Sequence, residues 1–115
     1  MKVAVSSKGN DINAYVDPRF GRCAYFIIIE TDDMRVEAFK NENADLSSSA
    51  GIQAASFVAS HNVQFVLTGN CGPKAMEVFS SVKIEVFTGL SGTIIEVINK
   101  FKNGDYSTNK IDAAD

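Results

Sequence analysis

Apolar and polar residues fall in blocks along the chain, and their period changes from block to block. Residues 2–6, KVAVS, are a short β-branched run that predicts a first strand. Residues 24–30, AYFIIIE, are continuously apolar and rich in aromatic and β-branched side chains, the mark of a buried strand. After a turn at Thr31-Asp32-Asp33-Met34, residues 35–40, RVEAFK, alternate with Val36 and Ala38 on one side, which suits an edge strand in a hairpin. From Ser48 to His61 the period lengthens. Ala50, Ala54, Phe57 and Val58 make one helical face, with serines 47–49 as candidate caps. Residues 63–68, VQFVLT, predict a strand. Pro73 then opens a helix with Ala75, Val78, Phe79 and Val82 on its inner face. Residues 84–88, IEVFT, predict the last strand. The final helix carries a capping box, Thr93 with Glu96, ahead of Ile94, Ile98 and Phe101. Lys100 and Lys102 suit its last turn and Gly104 its end. Residues 1–104 thus read as one domain, followed by a polar tail, 105–115, expected to fray.

The order is β, long loop, ββ hairpin, then αβαβα. Right-handed crossovers require the two βα units to form parallel pairs. The hairpin makes the sheet mixed, giving an α/β fold of order 3-2-1-4-5, with strand 2 antiparallel and helices on both faces. The carboxyl ends of strands 1, 4 and 5 then share one edge, where open α/β sheets bind ligands. Ser6, Ser7, Cys71 and the Gly89–Gly92 turn leave strands there. Strand 2 starts there, bringing Arg22 and Cys23, and the first helix begins there near Gly51. Both cysteines of the chain are thereby placed on one rim. Three helix amino ends point to it, with Gly51, Gly72 and Gly92 leaving room for backbone approach and Lys8, Arg19, Arg22 and Lys74 adding positive reach.

Composition narrows the function classes. The chain has 115 residues, 45% hydrophobic and 22% charged, which suits one globular core. Its net charge of −3 is unevenly spread: residues 1–24 carry +2. That balance argues against general nucleic-acid binding but permits a local anion site. The longest apolar run is too short for a membrane span and the amino terminus lacks a signal-peptide core, so a cytoplasmic protein without membrane contact is expected. Two cysteines in such a chain are not expected to form a structural disulfide.

A cysteine at a helix amino end is expected to have a lowered pKa, and thiolates bind metals and clusters. Cys23 and Cys71 are therefore the candidate metal ligands, and Ser6, Ser7, Arg19, Arg22, Gly51, Gly72, Lys74 and Gly92 the candidate binding residues. The competing readings are a buried hydrophobe for a single cysteine and salt bridges for the arginines. His61 is placed at a helix end away from this rim. Asp11 and Asp17 look isolated, and no catalytic set can be assembled. The loop from Ser7 to Cys23 has two readings: a lid mobile over residues 8–16, or a segment packed through Val16, Pro18 and Phe20.

The segments "SSKG" after the first strand, "VDPRFGRCAYF" (16–26), "SSAGIQAA" (48–55), "GNCGPKA" (69–75) and "GLSGTIIEVI" (89–98) together resemble the dinitrogenase iron–molybdenum cofactor-binding family, the NifX-like group. The resemblance covers about residues 1–104. It implies a ribonuclease-H-like three-layer fold and a non-catalytic role in binding or carrying an iron–sulfur or molybdenum-containing cluster. It implies cluster donor or acceptor proteins as partners, with an oligomer allowed. Two thiols cannot close a four-ligand cluster site on one chain, so other ligands, a second subunit, or hydrogen bonds to the sulfides would be needed. The alternative is a regulatory or scaffold module that uses the same rim for a partner protein or small anion. A nuclease is the weakest reading, because fold alone is no evidence for activity.

Overall fold

The computed structural model describes residues 1–45 and 49–106. Five strands and three helices alternate along it: β1 (Lys2–Ser7), β2 (Tyr25–Glu30), β3 (Arg35–Lys40), α1 (Ala50–Ala59), β4 (Phe65–Leu67), α2 (Pro73–Ser81), β5 (Glu85–Phe87) and α3 (Ile94–Lys102). They form one mixed sheet of order β3-β2-β1-β4-β5. β2 runs antiparallel to β1 and β3, while β1, β4 and β5 are mutually parallel. The expected order and strand directions are the observed ones. Ser47, Ser48 and residues 107–115, which entered the expectations for the first helix and the tail, lie outside the described residues.

Strand alternation sorts the core into two halves. Ala4, Phe26, Ile28 and Val66 face α1 and α2, where they meet Ala54, Val58, Ala75 and Phe79. Val3, Val5, Ile27, Ile29 and Leu67 face α3 and meet Ile94, Val97 and Ile98. The sheet is therefore buried on both sides, which is why β1 and β2 read as continuous apolar runs.

The structure corrects three details of packing. In β3 the half-buried residue is Phe39, while Val36 and Ala38 are exposed. Phe39 is claimed by Phe57 and His61, whose rings lie 5.6 and 4.6 Å away, whereas little of α3 reaches this edge of the sheet. In α2 the inner face ends at Phe79. Val82, at the C-cap, is half exposed because the helix stops at Ser81. At the start of the tail expected to fray, Tyr106 packs on the α3-side core, its ring 6.3 Å from that of Phe87.

The long loop is built into the fold. Its backbone donates from Lys8 to Tyr15 O, from Val16 to Gly92 O, from Asp17 to Ser6 O and from Phe20 to Asn70 O. It also accepts, with Ala14 O and Ile12 O taking the N–H groups of Ile94 and Ile95. Val16 and Phe20 are buried. Phe20 sits edge-on to Phe79 at 5.3 Å and beside Phe26 at 5.4 Å. Of the two sequence readings for this loop, the structure has the packed one.

Candidate functional site

The carboxyl edge of the sheet carries a buried polar layer under the loop. Ser6 Oγ donates to Asp17 O at 2.7 Å and shares a 2.7 Å hydrogen bond with Thr68 Oγ1. Ser7 Oγ closes a tight turn onto Gly9 O. Asn41 Nδ2 donates to Gly21 O and Cys23 O. Ser6, Ser7, Asp17, Asn41 and Thr68 are all buried, and each buried side-chain oxygen or nitrogen among the described residues has a partner. Satisfied polar groups of this kind fix a loop because breaking any one strands its partner. Ser6 and Ser7, expected to touch a ligand, are instead spent on holding the loop.

Above this layer lies an open cleft of about 310 Å³, lined by Arg19, Phe20, Gly21, Arg22, Ala50, Gly51, Asn70 and Gly72. The segment 19–22 forms one wall and the first turns of α1 and α2 the other. Gly21 makes this possible: a Cβ there would lie 2.9 Å from Gly51 Cα, so the loop meets the helix backbone to backbone. At Gly72 a Cβ would meet nothing within 4 Å. Neither Ser49 before α1 nor Gly72 before α2 supplies a side-chain cap. The first N–H groups of both helices carry partial positive charge, with no acceptor from the side chain of either of these residues.

Four of the expected binding residues, Arg19, Arg22, Gly51 and Gly72, come together here. Lys74 stands exposed on the first turn of α2, outside the lining. Gly92 lies elsewhere, in the turn before α3, where its φ of +110° is a backbone requirement. The amino end of α3 is closed: Thr93 and Glu96 form the capping box, and the loop carbonyls of Ala14 and Ile12 take the next N–H groups. Two helix ends, not three, offer donors. Phe20, Gly21, Ala50 and Asn70 join the lining without having been candidate binding residues. Asn70 was readable as the neighbour of Cys71 in the turn after β4.

The two thiols behave differently from the sequence expectation. Cys23 is fully buried, and desolvation pushes its thiol up to about 12. The nearby Asp17 charge adds to that rise, while hydrogen bonds from Ser7 and Asn41 oppose it. Cys71, half-buried against the same core as Cys23, is pushed up to about 11 by desolvation. The expected lowering at a helix amino end is absent, and burial is the largest cause of the rise at both thiols. His61 packs its ring against Phe39 and Phe57 at 4.6 and 4.7 Å.

Arg22 is tied down by Nη1, which donates to Ala44 O at 2.9 Å. Arg19 is held differently. Its backbone N–H and its Nε both point at Asp17 Oδ1, at 3.0 and 3.4 Å, while the rest of the side chain is exposed. A cleft with a guanidinium, a second arginine and two uncapped helix ends is suited to an anion.

The family model described as dinitrogenase iron-molybdenum cofactor matches residues 1–104. The chain belongs to the dinitrogenase iron-molybdenum cofactor family. A relative in this family's reach is the uncharacterized protein MJ0580 of Methanocaldococcus jannaschii, 31% identical over 107 residues that span 90% of this chain and 87% of that one. Among solved structures, the apo form of the orange protein from Desulfovibrio gigas superimposes with a TM-score of 0.86 at 35% identity, covering 90% of this chain and 88% of the other. A putative NifB protein from Thermotoga gives a TM-score of 0.78 at 32% identity, with the same coverage. Among the described residues, no helix is long and apolar enough to cross a membrane.

Proposed function

We propose that this chain binds and carries a metal–sulfur cluster, iron–sulfur or molybdenum-containing, or a precursor of one, as anionic cargo in the cleft. The observation that carries this reading is the convergence of Arg19, Arg22 and the amino ends of α1 and α2 on one open space of about 310 Å³, with no side-chain cap from Ser49 or Gly72. Such donors stabilise a sulfide-bearing anion by charge and hydrogen bonding without bonds to metal.

The donor set argues against chain-supplied coordination. Among the described residues no group of three or more His, Cys, Asp and Glu side chains could hold a metal ion. Cys23 is sealed in the core and both thiols favour their protons at neutral pH. The role proposed here is that of a non-catalytic carrier, receiving cargo from one protein and passing it to another. Cargo held without ligand substitution can be handed over without breaking metal–thiolate bonds.

Anaerobic mixing with iron and sulfide, or with molybdate and copper sulfide species, followed by desalting, tests the reading. A coloured protein with charge-transfer absorption is expected. Arg19→Ala should retain roughly a tenth of the colour or less, whereas Cys71→Ser should retain most of it. A protein that is colourless under every condition overturns the carrier reading. Colour that depends on Cys71 but not on Arg19 would replace the electrostatic mode by thiolate coordination. The same donors also suit a small phosphorylated ligand. Displacement of the colour by modest phosphate would favour that second reading.

A further inference from the structure

We propose that Asp17 is a positioning residue for the cleft: its buried carboxylate aims Arg19 so that both Nη groups face the cargo. This inference rests on the carrier reading and adds to it a residue that does not itself line the cleft.

A buried carboxylate beside an anion site is at first sight misplaced. Asp17 is 3% exposed, yet its charge lies under a cleft that should attract negative charge. Its contacts resolve the contradiction. Oδ1 receives the Arg19 backbone N–H at 3.0 Å and Nε at 3.4 Å. The Asp17 backbone is itself fixed from both ends, with N–H donating to Ser6 O at 3.0 Å and C=O accepting from Ser6 Oγ at 2.7 Å. The Arg19 backbone is laid parallel to Asn70, and Phe20 N–H donates to Asn70 O. The Arg19 backbone is thus fixed, and Nε reaches Asp17 Oδ1 across a long contact. Among the described residues the Nη groups make no hydrogen bond or ion pair.

A guanidinium held at Nε has its remaining fork preset for a planar, two-pronged contact. Lysine cannot reproduce that arrangement, because it offers a single rotating ammonium. The Asp17–Arg19 pair is formally neutral, so its contribution to recognition is direction and not net charge. Whatever ordering of Arg19 the Asp17 contact supplies is in place before cargo arrives, which lowers the ordering cost of binding.

The test uses the full chain and tetrathiomolybdate, a mononuclear molybdenum–sulfide dianion, with affinity read by its visible absorption and by calorimetry. Asp17→Asn keeps an oxygen acceptor for the Arg19 N–H but removes the charge that holds Nε. It should weaken binding about tenfold in the wild-type background and less than twofold in an Arg19→Ala background. In the cargo-free protein, ¹⁵N NMR should show a protected Arg19 Nε–H resonance that is lost in Asp17→Asn. Equal losses in both backgrounds would mean that Asp17 merely supports the loop, and would overturn the proposal. Tighter binding by Asp17→Asn would do the same, by showing the carboxylate to be an electrostatic brake. Should Asp17→Asn fail to fold, Arg19→Lys decides: it should lose nearly as much affinity as Arg19→Ala, and retained binding overturns the directional role. Failure of the wild-type chain to bind tetrathiomolybdate and every cluster species would remove the carrier reading first, and this inference with it.

Discussion

Cys71 shows how far a single residue can be read. Its position in the turn between β4 and α2 is legible in the sequence, because Gly69, Gly72 and Pro73 punctuate the chain around it. Its chemistry is not, because the pKa depends on burial that only the packed core reveals. The helix dipole lowers a thiol pKa at an exposed amino end, but here desolvation wins and both thiols rise. At pH 8 a thiol with a pKa of about 11 is only about one-thousandth thiolate. Ellman's reagent should therefore react slowly with native protein, first at Cys71 and with Cys23 only on unfolding. A fast, stoichiometric reaction of either thiol at pH 8 would contradict this. The same shift sets a pH dependence. The folded state holds the Cys23 proton to about 12, while the unfolded chain releases it near 9. The stabilisation from this one group is full below pH 9 and is lost progressively as pH rises from there toward 12. Urea midpoints measured from pH 8 to 11 should fall accordingly. Asp17 is the opposite case. Its partner stands two residues away in the sequence, so the pairing was available, but nothing in the sequence marks it as buried.

At the scale of elements, strand order and helix number follow from period and crossover handedness, and both are observed. What periodicity cannot assign is which of two apolar sets on an edge strand finds a partner. In β3, Phe39 has α1 to pack on and Val36 has little, so the aromatic position prevails. Helix amino ends show the same dependence on neighbours. Thr93 and Glu96 make the α3 cap readable from sequence, yet only the structure shows the loop closing that end while α1 and α2 stay uncapped. Two substitutions separate these roles. Thr93→Ala removes a cap that is not part of the cleft lining and should cost about 1 kcal/mol of stability without weakening cargo binding. Gly21→Ala places a Cβ 2.9 Å from Gly51 Cα and 3.0 Å from Gly51 N, both backbone atoms that cannot rotate away. It should cost about 1–3 kcal/mol and also weaken cargo binding, because the two walls of the cleft must separate. Denaturation and cargo titration of both variants check the contrast. Equal effects on cargo binding would mean that the cleft is not where cargo sits.

For the whole molecule the long loop decides how the site is organised. A loop that closes over cargo pays for ordering at the moment of binding. A loop already threaded between β1, the turn before α3 and the rings of Phe26 and Phe79 has met that cost during folding. The hydrogen bonds favour the second arrangement, since they join the loop to β1 through Asp17, to the turn after β4 through Phe20 and to α3 through Ile12 and Ala14. Length and glycine content alone left both arrangements open, because what pins the loop is backbone pairing with carbonyls distant in sequence. Native-state hydrogen exchange on the cargo-free protein measures the difference. The amides of Val16, Asp17 and Phe20 should exchange only through global unfolding, with protection within about tenfold of that of β1. Asn13, whose N–H is held only by the exposed Asp11 side chain at 2.8 Å, should exchange much faster. On cargo binding, new protection should appear in the first turns of α1 and α2, while Val16 and Asp17 stay unchanged. If Val16, Asp17 and Phe20 instead exchange as freely as Asn13 and become protected only with cargo, the loop is a lid and the preformed cleft is wrong.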